Sequence, residues 1–109
     1  MIQIGHPHSY FNDESSGIFI GIMREELIED IESFYDEIAA ALAFPEYFGR
    51  NLDALADMLN DLEWIPCRHI FLICRNSNTL SLALDQDYDA IMDIFSTHLN
   101  ERLQILMVD

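Results

Sequence analysis

Three short apolar runs dictate what this chain folds into: IFIGIM at 18–23, RHIFLIC at 68–74 and LQILMV at 103–108. Each has strand length, and stretches of helical periodicity separate one from the next. Strands joined through helices have no tight hairpin available, so they pair in parallel. The expectation is a small α/β layer, about three parallel strands packed with three to four helices. The middle run is apolar without alternation, which reads as a strand buried on both faces. Gly21 interrupts the first.

Ser33 with Asp36 three residues later makes a capping-box-like start, and Phe34, Ile38, Ala41 and Leu42 recur at helical spacing. The first helix should end near Ala43, because Pro45 disfavours helical geometry at Phe44. Gly49 offers a residue that can take positive φ. Asn51 is then the N-cap of a second helix ending around Asp61, with Leu52, Leu55, Met58, Leu59 and Leu62 along one face. TLSLAL at 79–84 fits a short helix or an irregular segment. From Gln86 a long amphipathic helix runs through Tyr88, Ile91, Met92, Phe95 and Leu99 to about Asn100. The acid-rich REELIEDIE at 24–32 reads as a solvated connection. Residues 1–17 hold turn formers without sustained periodicity, an irregular extension that includes at most a short strand at 2–4.

Half of the 109 residues are apolar, enough for the core of a single domain. Twenty acids oppose five basic residues, all arginine, for a formal charge of −15. That charge attracts cationic partners and repels nucleic acid, so direct DNA or RNA binding is not expected. The acids are interleaved with apolar residues rather than gathered in blocks, which argues for a folded domain. Cys67 and Cys74 read as reduced, buried thiols. Neither a signal-like start nor a run of membrane-span length is present, and the expectation is a soluble, cytoplasmic protein.

The second helix carries the most telling pattern. Asp53, Asp57 and Asp61 fall one turn apart, opposite its apolar face, with Glu46 and Tyr47 in the loop just before it. Each like-charged pair at this spacing costs about 0.2–0.5 kcal/mol, and the helix dipole favours acids only in the first turn.

The surrounding stretch LAFPEYFGRNLDALADML, residues 42–59, resembles the central segment of the barstar family, intracellular inhibitors of the ribonuclease barnase. The similarity continues more weakly back through IESFYDEIAAA, and IMDIFSTHLNERLQILMV fits the family's final helix and strand. It covers about residue 18 to the end, so a barstar-like domain at 18–109 would follow the extension at 1–17. The resemblance implies a three-stranded parallel domain that plugs a ribonuclease active site with its second helix and the loop before it. Its acids would stand where RNA phosphates bind. Tyr47, Gly49, Asn51, Asp53 and Asp57 match family positions at or near that surface, and Asp57 occupies the dominant hot spot. Three positions depart from the family: Ala56 replaces a tryptophan, Thr97 a glutamate and Arg50 an acid.

The expected partner is therefore a basic protein, foremost a ribonuclease. A regulatory module of the same fold aimed at another basic protein is the alternative, and a metal-assisted hydrolase built on clustered acids is a third reading. Other motifs point nowhere specific. DQDYD at 85–89 starts like a calcium loop but has Ala90 and Ser96 where the sixth and twelfth positions need Gly and Glu. His6 and His8 lack a third ligand at fixed spacing. There is no Gly-x-Ser-x-Gly turn, phosphate loop or lysine. No cofactor or metal is expected. Trp64, Met92 and Phe95 belong to the core or its edge, whereas Tyr47 suits an interface.

Overall fold

The apolar runs become parallel strands, joined at one edge by a short additional strand. The computed structural model describes residues 2–4, 17–97 and 99–108. Its elements are β1 (Ile2–Ile4), β2 (Ile18–Met23), α1 (Ile31–Ala41), α2 (Leu52–Asp61), β3 (His69–Cys74), α3 (Ser77–Leu84), α4 (Tyr88–Phe95) and β4 (Leu103–Met107). Single 3-10 turns at Glu25–Leu27 and Asp85–Asp87 precede α1 and α4. The sheet order is β1-β2-β3-β4, parallel throughout. Strands β2 to β4 are the expected three-stranded sheet, and β1 is the short strand the first residues allowed. Residues 5–16 of the expected irregular extension lie outside the described residues.

Strand alternation turns Phe19, Met23, Ile70, Leu72 and Cys74 into the core, where they meet Phe34 and Ile38 of α1, Leu55 and Leu59 of α2, Leu80 of α3 and Ile91 of α4. Gly21 faces the same way, and a Cβ there would run into the Ala41 carbonyl at the end of α1. This close approach explains why glycine interrupts the first apolar run. The reading of β3 as buried on both faces needs correction: Ile70, Leu72 and Cys74 are buried, but Phe71 and Ile73 are only half-buried and His69 is exposed.

Several boundaries differ from the sequence reading. The capping box lies one turn earlier, because Asp30 accepts the Ser33 N–H at 2.9 Å while Ser33 Oγ accepts the Asp30 N–H at 3.1 Å. This leaves Asp36 free for another partner. The Ser33 backbone N–H holds the Asp30 carboxyl below its usual pKa. Its contribution is present above the ordinary carboxylate range and is lost as pH falls through the depressed value. The last helix is shorter than expected. Ser96 and Thr97 hydroxyls donate to the Met92 and Ile94 carbonyls at its end, drawing the backbone out of helix.

The acid-rich connection is not uniformly solvated. Glu25 is 2% exposed and accepts the Arg75 N–H at 2.9 Å, tying the turn after β2 to the end of β3. Glu37 is buried as well and takes a two-pronged contact from Arg24, at 3.1 and 3.0 Å. Both cysteines are buried, and among the described residues neither is joined in a disulfide. Burial, with a smaller push from the Glu25 charge, raises the Cys74 thiol to about 12.

Two outcomes follow from this packing. Gly21→Ala should destabilise the domain by about 1–3 kcal/mol in urea unfolding, through forced displacement of the α1 terminus. Cys74 should resist iodoacetamide at pH 8 in the folded protein and react on unfolding, because only the thiolate is nucleophilic; alkylation at a free-thiol rate in native buffer would contradict its burial.

Candidate functional site

The loop between α1 and α2 is anchored from the inside by aromatic rings. Tyr35, Phe48, Phe44 and Trp64 form a chain of edge-on contacts, with centroids 5.7, 4.9 and 5.8 Å apart. Such pairs contribute beyond their burial, because a ring's positive edge meets its neighbour's negative face. Trp64 Nε1 donates to the Leu42 carbonyl at 3.0 Å, and the Phe44 N–H donates to Ala39 at 2.9 Å. Tyr47 is left pointing outward, 68% exposed, with Glu46 exposed beside it.

The turn into α2 corrects one expectation. Positive φ falls on Arg50, at 54°, and on no described glycine. Arg50 reaches back to α1, donating to Asp36 at 2.6 Å and to the Glu32 carboxylate and carbonyl at 3.1 Å each. Its guanidinium lies 6.0 Å from the centre of the Tyr35 ring. Those contacts hold a backbone conformation that a side chain ordinarily disfavours. Gly49 serves space instead, since an added Cβ would sit 3.2 Å from the Ala54 Cβ. Asn51 is the N-cap as expected: its Oδ1 accepts the Ala54 N–H at 2.8 Å, and its Nδ2 donates to the Gly49 carbonyl at 3.3 Å.

Beyond the cap, α2 buries Leu55, Met58 and Leu59 and exposes Asp53, Asp57 and Asp61 along the other side. Ala56 is half-buried at the margin of this row. Leu52 departs from the expected apolar face; it is 37% exposed. With Tyr35, Asp53 and Asp87 it lines a depression of about 500 Å³ between α1 and the start of α2. Burial, followed by the Glu32 and Asp87 charges, raises the Tyr35 hydroxyl above its usual pKa, against the opposing pull of Arg50.

Among the described residues, Glu46, Asp53, Asp57 and Asp61 form no ion pair. Arg24, Arg50 and Arg75 pair with other acids. Arg102 donates to the carbonyls of Leu62 at 2.8 Å, Ile65 at 2.6 Å and Cys67 at 2.8 Å. Asn100 Nδ2 donates to the carbonyls of Asn60 and Asp61, at 3.1 and 2.9 Å. These two residues secure the end of α2, and sequence reasoning missed them because their partners lie about 40 residues upstream. Thr97 is exposed just past α4 and adds no carboxylate to the surface. No three His, Cys, Asp or Glu side chains among the described residues gather closely enough to hold a metal ion. Nor is any described helix long and apolar enough to cross a membrane.

Residues 23–105 match the family model described as Barstar (barnase inhibitor). The chain belongs to the barstar family. It is also similar to "Putative ribonuclease inhibitor YrdF" of Bacillus subtilis (strain 168), 30% identical over 79 residues that cover 72% of this chain and 87% of that protein. For this barstar-family domain, the cap is the part of the site most open to a stability test. Asn51→Ala should cost about 1 kcal/mol in chemical denaturation, and Asn51→Asp should retain most of the stability.

Proposed function

We propose that this domain inhibits a ribonuclease by laying α2 and the loop before it across the enzyme's cationic active site. The row of exposed, unpaired carboxylates on α2, beside the outward ring of Tyr47, is the observation that carries this reading. A ribonuclease cleft gathers arginine, lysine and histidine to hold phosphates. Carboxylates on a rigid helix satisfy those cations without offering a scissile bond, so the domain itself needs no catalytic group, cofactor or metal.

The residues divide the work. Asp57 is the central contact, pairing with a desolvated cation, while Asp53, Asp61 and Glu46 act nearer the rim and speed association. Tyr47 is the anchoring ring. Gly49 and Asn51 shape the turn that brings loop and helix into one surface. Ala56, where the resemblance places a tryptophan, leaves room for a bulkier group on the partner. The inhibitor protects the cell that makes it and so resides in the cytoplasm, away from nucleic acid and membrane. The changes at Ala56, Thr97 and Arg50 favour one variant of this reading, in which the same surface meets a basic partner other than barnase, a ribonuclease-type toxin or another basic protein.

The experiment is a capture of host proteins on immobilised wild type and on the Asp53→Ala, Asp57→Ala double variant, followed by an RNA-cleavage assay of whatever is retained. A small basic nuclease held by wild type alone, and inhibited at one-to-one ratio, is the expected result. Identical capture by both baits would remove α2 from the interaction. For the single change, Asp57→Ala should weaken the complex by at least about 2 kcal/mol, roughly 30-fold. The free domain should gain a few tenths of a kcal/mol as repulsion from Asp53 and Asp61 is relieved. Loss of stability in the isolated variant would count against this account.

A further inference from the structure

We propose, building on the inhibitory function above, that the depression between α1 and the start of α2 is a subsite for a cationic side chain of the bound protein, held by the Tyr35 hydroxyl together with Asp53 and Asp87. Recognition then extends beyond the acid row of α2, since Tyr35 comes from α1 and Asp87 from the turn before α4.

Tyr35 is 4% exposed, with its ring packed edge-on against Phe48. A tyrosine hydroxyl this deep ordinarily has a hydrogen-bond partner, yet among the described residues none reaches it. Three charges act on that hydroxyl, those of Glu32, Asp87 and Arg50, and all three residues line the depression. The polar end of the ring is therefore turned into the depression and its body into the core.

Charge selects the occupant. Glu32, Asp53 and Asp87 line the depression with a single cation, Arg50, which is already engaged by Glu32 and Asp36. Among the described residues Asp53 and Asp87 pair with no cation. An anion is repelled here, whereas a cation finds two unpaired carboxylates and a hydroxyl oxygen to accept its N–H groups. A metal ion does not fit, since no three acidic, histidine or cysteine side chains among the described residues gather closely enough to hold one.

Shape narrows the cation to a lysine or arginine side chain. Ile31 and the exposed Leu52 give the depression apolar walls, against which the methylenes of such a side chain lie while its charged head reaches the acceptors. That contact gives Leu52 a role outside the core. The volume of about 500 Å³ falls within the roughly 300–1,000 Å³ of pockets that enclose small groups. The source is a protein because the site is continuous with the surface proposed above: Asn51 and Asp53 border both, so an enzyme seated on α2 reaches the depression.

The test titrates acetyl-arginine-amide into the isotope-labelled full chain at low salt and follows the amide resonances, with acetyl-citrulline-amide as a control of the same shape and no charge. The resonances of Tyr35, Leu52 and Asp87 should move with the arginine probe and stay in place with the citrulline one. Tyr35→Phe, which keeps the ring, and Asp87→Asn should each retain the native circular dichroism spectrum and weaken probe binding about two- to fivefold. The same two variants should weaken the complex with a captured ribonuclease by a similar factor. Because the probe reads the depression with no enzyme present, a failed host capture would remove the inhibitory function and leave the cation subsite standing. An equal response to both probes would overturn the subsite, as would probe binding unchanged by both substitutions, or binding lost in Asp57→Ala and kept in Tyr35→Phe. Full affinity of both variants for a captured enzyme would overturn its part in recognition.

Discussion

The guanidinium of Arg102 is the contact on which the α2 side of this domain rests. The last carbonyls of an α-helix have no partner within the helix, and after α2 the chain turns through Leu62, which adopts a left-handed conformation at φ 50°. Arg102 answers the carbonyls of Leu62, Ile65 and Cys67 together, with Asn100 taking those of Asn60 and Asp61. A planar group with five donors suits this better than an ammonium would. Its positive charge also lies at the negative end of the helix dipole, where Asp61 is least welcome. One side chain from the start of β4 thereby fixes where α2 ends and where β3 begins.

The other end of α2 is held differently. The loop before it is bracketed by two left-handed residues, Ala43 and Arg50, each costing on the order of 1 kcal/mol. Ring contacts along Tyr35, Phe48, Phe44 and Trp64 and the Arg50 contacts to α1 offset that cost. The result is a surface already in shape before any partner arrives, which lowers the ordering cost of association. Repulsion along the acid row is the strain that remains in the free domain, and opposite charge is what relieves it.

Much of this architecture is legible in the chain because it depends on local pattern. Strand runs, helix periodicity and the Asn51 cap are each written within a few residues, and parallel pairing follows from the helices between the strands. The candidate surface is legible for the same reason: Asp53, Asp57 and Asp61 share a side through helical geometry alone. What escapes a sequence reading is set by distance or by competition between neighbours. Glu25 sits among acids that read as solvated, yet an N–H fifty residues away draws it inside. Asp30 outcompetes Ser33 for the cap position because the two side chains can bond reciprocally. Glycine is the usual residue for positive φ, but Gly49 is needed for closeness to Ala54, and the turn falls on Arg50, where α1 supplies acids to hold it.

The Arg102 clasp has a consequence for biosynthesis. The residues that complete the end of α2 follow it by about 40 positions, so a ribosome working at about 5–20 residues per second makes the helix roughly two to eight seconds before its anchor exists. In that interval the end of α2 lacks the donors that Arg102 and Asn100 supply, and the sheet lacks β4. Under the function proposed above, recognition would thereby be coupled to completion: a nascent or prematurely terminated chain carries all the acids but lacks the contacts that close the end of α2, and only one that has reached β4 would hold its target.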